Sequence, residues 1–246
     1  MNYTKNSGYF SNPKGQKFFY RKNLIERKTL NPVIFVHGAL EHSGRYENLT
    51  SELQKKRHPS FGFDLRGHGK SHGKKGDAKS VDQMTQDLEN FITYLKDKYE
   101  IQRFILIGHS LGGLICLNYA IKKKNQKKLL GLYVSAPALS VRMTASMRVK
   151  RFFGEKLIIK IAPKLRLPIG LGLDTLTHDK NELEKYKKDP LVFDLMSIRL
   201  AMDILNKGDE VIEKSKKIKD IPVFITHGDG DKISYDQGSK KAFENL

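Results

Sequence analysis

Residues 104–113 read Phe104-Ile105-Leu106-Ile107-Gly108-His109-Ser110-Leu111-Gly112-Gly113, and this stretch decides the fold. Four consecutive apolar residues closed by a glycine predict a strand buried on both faces, as in a parallel sheet. An apolar helix carrying Cys116 follows at once, from Leu111 to Lys123. A serine on so sharp a strand-to-helix turn is forced into an unfavourable backbone, so the positions two before and two after it must lack a side chain. Gly108 and Gly112 stand there, with His109 between the strand and the serine. On average Gly and Ser frequencies G-x-S-x-G arises by accident in about one chain in ten of this length. The strand before it and the helix after it supply the context of a nucleophile elbow, and they make Ser110 the candidate nucleophile.

Outward from the elbow the same alternation recurs. Tyr9-Phe10 and Lys17 to Tyr20 flank the turn Asn12-Pro13-Lys14-Gly15 and predict an opening hairpin. Val33-Ile34-Phe35-Val36, ending in His37-Gly38, reads as a buried parallel strand; Arg45 to Lys56 has helical spacing, and Ser60-Phe61-Gly62-Phe63 is a further strand. Ser80 to Tyr99 is an amphipathic helix through Val81, Met84, Leu88, Phe91, Ile92 and Leu95, with Asp82 and Asp87 read as favouring its first turns. Leu129 to Val134 and Pro222 to Thr226 are later strands, and a helix begins after Tyr235. Apolar strands alternating with helices predict an α/β fold with a mostly parallel, doubly wound sheet. The alternation fails between Val141 and about Asn206, where Pro163, Pro168 and Gly170-Leu171-Gly172 interrupt helical, basic and apolar patches. The expectation is one domain over residues 1–246, with its core at 1–140 and 207–246 and a helical lid inserted at 141–206.

The 246 residues include 39% hydrophobic positions, with thirteen Phe and ten Tyr, enough to fill a core. The lone Cys116 forms no internal disulfide, and the N-terminus has no apolar run of a signal peptide or membrane span, so a cytoplasmic location is expected. The net charge of +18 would draw the chain to nucleic acid or to an anionic membrane. Its lysines are spread along the whole chain, however, and the clusters at Lys122 to Lys124 and Lys127 to Lys128 read as a solvated helix end, which argues against a nucleic-acid partner.

The helix starting at Leu111 aims free N–H groups at the point where a tetrahedral intermediate carries negative charge, making the Leu111 N–H one oxyanion donor. The loop after Val36 puts small residues beside the pocket floor, and the Ala39 N–H is assigned as the second donor. His37 is read as a turn histidine bonded to backbone. His68 and His72 have metal-ligand spacing but sit in a glycine-rich loop without acidic partners, so no metal and no organic cofactor are expected.

Four motifs in order, HGALEHSGRY at 37–46, DLRGHGKSHG at 64–73, GHSLGG at 108–113 and SAPAL at 135–139, resemble the monoacylglycerol lipase and lysophospholipase family of α/β-hydrolases. DKNELEKYKKDPLVF at 179–193 resembles that family's cap, and IPVFITHGDGDKI at 221–233 its strand and acid loop. The resemblance implies a serine ester hydrolase working through an acyl-enzyme on Ser110, with Asp231 as triad acid and Asp229 a turn former. It also implies a general-base histidine later in the chain, and none follows His227. His227 itself stands four residues before the acid, with nothing to suggest that it faces Ser110. A truncated chain and a non-catalytic relative both fit. The stop inside a helix begun at Asp236, without a final strand, favours truncation, and either way the chain as given is expected to be inactive.

Residues 145–166 mix Met147, Val149, Phe152, Phe153, Leu157, Ile158 and Ile161 with seven basic residues. Such a lid suits peripheral contact with an anionic membrane and, equally, a roof over the pocket whose lysines face water. An apolar roof favours long-chain acyl esters over peptides, since each buried methylene contributes about 0.8 kcal/mol. The resemblance narrows the substrate to monoacylglycerols or lysophospholipids, beside the alternatives of a generic carboxylesterase and a non-catalytic binder of a small apolar ligand.

Overall fold

The computed structural model describes residues 7–25, 30–141, 161–169 and 175–246. A seven-stranded sheet forms its centre. Strands β1 (Ser7–Ser11) and β2 (Lys17–Asn23) form the opening hairpin, whose turn is closed by the Asn12 side-chain oxygen accepting the Lys14 and Gln16 N–H groups, both at 3.0 Å. Gly15 takes the left-handed conformation there, at φ 72°. β2 pairs antiparallel with β4 (Ser60–Phe63), and β4 pairs parallel with β3 (Val33–Val36). Beyond β3 come β5 (Phe104–His109), β6 (Leu129–Ser135) and the edge strand β9 (Val223–Thr226), all parallel, in the order β1-β2-β4-β3-β5-β6-β9. The mostly parallel sheet is therefore as the sequence alternation requires.

Helices α1 (Glu47–Lys55), α2 (Val81–Tyr99) and α3 (Leu111–Ala120) connect the strands. α2 starts where Ser80 accepts the Gln83 N–H at 3.1 Å, and it stops where Glu100 turns left-handed at φ 57°. All six of its expected apolar positions are buried. Asp82 stands in the first turn, but Asp87 does not: it is buried and holds Arg66 through two bonds of 2.8 Å. The apolar run after the elbow divides, because α3 ends at Ala120 and a short helix α4 (Lys123–Gln126) follows. Asn125 reaches back to the Tyr119 carbonyl at 3.0 Å and closes the first helix there.

Within the insertion the sequence reading was too helical. Strands β7 (Arg166–Pro168) and β8 (Leu195–Ser197) form an antiparallel pair, with Pro168, which has no N–H to donate, at the end of its edge strand, and α5 (Lys180–Lys188) lies between them in sequence. The expected basic and apolar stretch at 145–166 falls outside the described residues except for 161–166, as does Gly170-Leu171-Gly172. α6 (Ile198–Lys214) runs without a break through residues 206 and 207, and its Leu200, Ile204 and Val211 join the main core. Arg199 grips Asp77 at 2.6 and 2.8 Å, the Val81 N–H donates to Asp203 at 2.6 Å, and Lys207 bonds Asp82 at 2.9 Å, tying α6 to the start of α2. The last helix, α7 (Asp236–Glu244), packs on α6 and β9.

The Arg66–Asp87 pair is almost wholly excluded from water, with Arg66 also lying 5.3 Å over the Phe18 ring. Burial raises the Asp87 pKa, against the pull of Arg66. An acid with a raised folded pKa destabilises the fold above that pKa and is relieved as pH falls through it. Arg66→Met, which strands the carboxylate, is expected to cost about 3–5 kcal/mol at pH 7 in urea unfolding. The deficit relative to the parent should narrow toward pH 5; a deficit independent of pH would show that lost packing, not the stranded charge, is responsible.

Candidate active site

The carboxyl ends of β3, β5, β6 and β9 lie along one edge of the sheet, where α/β folds place their ligands. At the end of β5 the chain reverses at Ser110, with φ 52° and ψ −118°, and continues directly into α3. Such a conformation costs on the order of 1–3 kcal/mol for a residue with a side chain. Three bonds hold it: the Ser110 N–H donates to the Ser135 carbonyl at 3.0 Å, and the Ser110 carbonyl accepts the Leu114 and Ala138 N–H groups at 3.1 and 3.0 Å. The glycine argument is met on both sides. A Cβ on Gly108 would stand 2.5 Å from the Gly112 carbonyl oxygen, and one on Gly112 would stand 2.2 Å from that of Val36.

The loop after β3 also lies against the elbow, for a Cβ on Gly38 would lie 3.3 Å from that of Ser110. His37 is the backbone-bonded turn residue that the sequence suggested: Nδ1–H donates to the Gly38 carbonyl at 2.7 Å and Nε2 accepts the Leu65 N–H at 2.8 Å. Burial lowers its pKa, and that of His68 to about 3, so both rings are neutral near pH 7. His68 Nδ1 bonds the Arg66 carbonyl (2.8 Å) while its buried Nε2 has no partner, and His72 bonds the Gln16 side chain (3.1 Å). Neither the Ala39 nor the Leu111 N–H has a hydrogen-bond partner among the described residues.

Ser110 stands between two cavities. One, of about 190 Å³, is lined by Gly38, Ala39 and Leu111 on one side and by Met196 of β8 and Ile204 and Leu205 of α6 on another. The other, of about 400 Å³, is the more polar of the two and is bounded by His109, Ala136, His178 and the loop from Gly228 to Ser234, including Asp229 and Asp231. Asp231 and Ser110 thus face the same space. One oxygen of Asp231 accepts the Ile233 and Ser234 N–H groups at 2.7 and 2.9 Å, and the other meets His227 Nε2 at 3.2 Å. The second nitrogen of His227 bonds the Ser239 hydroxyl at 2.7 Å, so its ring is turned toward α7 and does not line the cavity at Ser110. His109 bonds the Ser135 carbonyl at 3.2 Å.

Two residues of this site were not singled out from the sequence. Glu41 accepts the Gly38 N–H (2.7 Å), the Tyr46 hydroxyl (2.8 Å) and Arg45 Nε (3.2 Å), pinning the turn that carries Ala39. Burial raises its pKa, but the neighbouring His109 imidazole, with the Gly38 N–H and the Tyr46 hydroxyl, outweighs that and keeps it low, hence ionised. The signal was a lone acid in a basic chain beside His37-Gly38. His178, in the turn before α5, offers no comparable signal, because only the folded cap brings it to the cavity. The same turn is fastened to the cap: His42 bonds Asp189 at 2.7 Å, Arg45 lies 4.7 Å over the Tyr186 ring, and the Phe193 N–H donates to the Leu40 carbonyl at 3.2 Å.

A mostly parallel sheet with a strained serine at the strand-to-helix turn after β5, and residues 186–193 fastened to the turn after β3, is the frame of an α/β-hydrolase. The chain belongs to the Hydrolase_4 family, described as "Serine aminopeptidase, S33", whose model matches residues 27–246. It is similar to the crystal structure of a monoacylglycerol lipase from Paleococcus ferrophilus, at 33% identity and TM-score 0.80 over 93% of this chain and 84% of that one. It is also similar to a soluble variant of the Saccharomyces cerevisiae monoglyceride lipase in complex with a substrate analog, at 28% identity and TM-score 0.85, covering 97% of this chain and 82% of that one. A Dictyostelium discoideum abhydrolase domain-containing protein aligns at 28% identity over 89% of this chain. The chain spans 23% of that relative's length and 59% of a Schizosaccharomyces pombe relative, against 80% of the S. cerevisiae lipase. It is thus a monoacylglycerol lipase-like member of the serine α/β-hydrolases.

The close approach at the elbow makes one substitution decisive. Gly112→Ala would drive a methyl into the Val36 and His37 carbonyls at 2.2 and 2.6 Å. It is expected to lower stability by about 2 kcal/mol or more in thermal unfolding, because backbone cannot yield as a flexible side chain can. Unchanged stability would mean that the helix does not press on β3 as described.

Proposed function

We propose that Ser110 is the nucleophile of a carboxylic ester hydrolase acting on long-chain acyl esters of the monoacylglycerol or lysophospholipid type. The observation that carries this reading is the position of Ser110 between an apolar cavity fit for an acyl chain and a more polar one shared with Asp231. The serine Oγ gives its proton to an imidazole base as it attacks the ester carbonyl, the Ala39 and Leu111 N–H groups receive the oxyanion, the ester C–O bond breaks to release the alcohol, which takes up that proton, and water then hydrolyses the acyl-serine to the free acid and serine. Asp231 is the acid of the triad, already held by two N–H groups, and its role is to orient an imidazole. The substrate reading is supported by the two lipases of similar structure, one of them seen with a substrate analog.

Residues 1–246 supply no histidine after His227, and that ring is engaged with Asp231 and Ser239. We therefore expect these residues alone to be inactive toward esters, since losing the base of such a triad costs about six orders of magnitude in turnover. The test is hydrolysis of a long-chain monoacylglycerol by residues 1–246 and by Ser110→Ala, each with and without added imidazole. Imidazole should raise turnover of the parent and leave Ser110→Ala at background. Rapid hydrolysis without imidazole that vanishes in His178→Ala would move the base to the cap. No rescue at all would favour the second reading, a ligand-binding relative of the hydrolases.

No helix among the described residues is long and apolar enough to cross a membrane. Peripheral attachment is supported by exposed Ile161, Leu165 and Leu167 beside Lys164 and Arg166. Co-sedimentation with phosphatidylserine-containing vesicles should fall when the three apolar residues are changed together to serine; equal sedimentation of parent and variant would remove this segment from the contact.

A further inference from the structure

Because β5, β6 and β9 run parallel, the chain that follows β5 at Ser110 and the segments that lead into β6 and β9 lie at opposite ends of the sheet. Those segments are residues 122–128, through α4, and residues 213–220, from the last turn of α6. Together they carry nine lysines against two acids, Glu213 and Asp220. Far apart in sequence, they are joined by the buried side chain of Gln126, which donates to the Lys217 carbonyl at 2.8 Å and accepts the Lys219 N–H at 3.0 Å. Lys127 and Lys128, next along the chain, are thereby held beside Lys216 and Lys217.

Three of the nine are engaged: Lys122 with Glu89, Lys214 with Glu210, and Lys219 with the Leu246 main-chain oxygen at 3.5 Å. Lys123, Lys124, Lys127, Lys128, Lys216 and Lys217 are exposed, and none of them forms an ion pair among the described residues. Like charges gathered in this way repel one another, and a partner of opposite sign relieves the repulsion and is steered toward it. What the two segments lack defines that partner. They hold no aromatic ring on which a nucleic-acid base could stack, and no arginine to grip a phosphate with two parallel bonds. Their one apolar residue, Ile218, is buried and cannot enter a lipid surface. Ammonium groups on flexible stems suit a row of carboxylates. We propose that this face docks an acidic segment of another protein, a run of Asp and Glu side chains, at the end of the sheet away from Ser110.

The test is fluorescence anisotropy of a labelled decaglutamate peptide titrated with residues 1–246 at low ionic strength. Binding should saturate, and it should weaken as added salt screens the exposed charges. Lys127→Gln, Lys128→Gln, Lys216→Gln and Lys217→Gln combined should weaken it about tenfold or more, as expected for the loss of four exposed charge pairs. Lys14→Gln, Lys74→Gln, Lys79→Gln and Lys180→Gln combined remove the same charge from exposed sites elsewhere and should change the affinity less than about twofold. Both variants should keep the parent's unfolding temperature, since every side chain changed is exposed. No saturable binding, or equal weakening in the two variants, would overturn the proposal. Tighter binding of decathymidylate or of phosphatidylserine vesicles through the same four lysines would overturn it too, by making the face a nucleic-acid or membrane contact.

Discussion

The first turn of α3 lies against the backbone of β3 with no room for a methyl group between them, and the geometry of the site depends on that contact. Because Gly112 touches the Val36 and His37 carbonyls and Gly108 touches Gly112, the chain can leave β5 and enter α3 only through a left-handed residue. That residue is Ser110, so one packing constraint raises the serine above the sheet and aims the helix N-terminus beside it. The strain is met by three hydrogen bonds to neighbouring backbone, two of them from the chain that continues past β6 and from α3 itself. Function at this position thus draws on the stability of the whole sheet.

The second element is the turn after β3, and here charge does the work that glycine does at the elbow. Glu41 gathers the Gly38 N–H, a tyrosine hydroxyl and an arginine, fixing the His37–Gly38 peptide in the turn that lies against Ser110. From the same turn His42, Arg45 and Leu40 reach the cap at Asp189, Tyr186 and Phe193. A displacement of the cap segment at 186–193 is therefore felt at the turn carrying Ala39.

Much of this was legible in the sequence because it rests on local rules. Short apolar runs bounded by turn residues read as buried strands, and those at Val33 and Ser60 appear with the expected bounds, while the one at Phe104 runs past its closing glycine to His109. The backbone bonding of His37 was legible too. What periodicity could not reveal depends on distant partners. Asp87 reads as a helix-start acid until Arg66 arrives from the loop after β4. The short pair β7–β8 has too few residues for an alternating signal, and the passage of α6 from cap to core leaves no mark at residue 206. His178 reaches the more polar cavity only through tertiary folding.

The central claim is that an acyl group enters the apolar cavity and becomes bonded to Ser110 between two backbone N–H groups. The most direct measurement is a crystal structure of the chain with a long-chain alkyl boronic acid, which adds reversibly to a serine hydroxyl and mimics the tetrahedral intermediate. The account predicts boron bonded to Ser110 Oγ, one boronate oxygen within hydrogen-bond reach of both the Ala39 and Leu111 N–H groups, and the alkyl chain along Met196 and Ile204. A boronate bonded elsewhere, or one on Ser110 whose oxygens face away from Ala39 and Leu111, would contradict it.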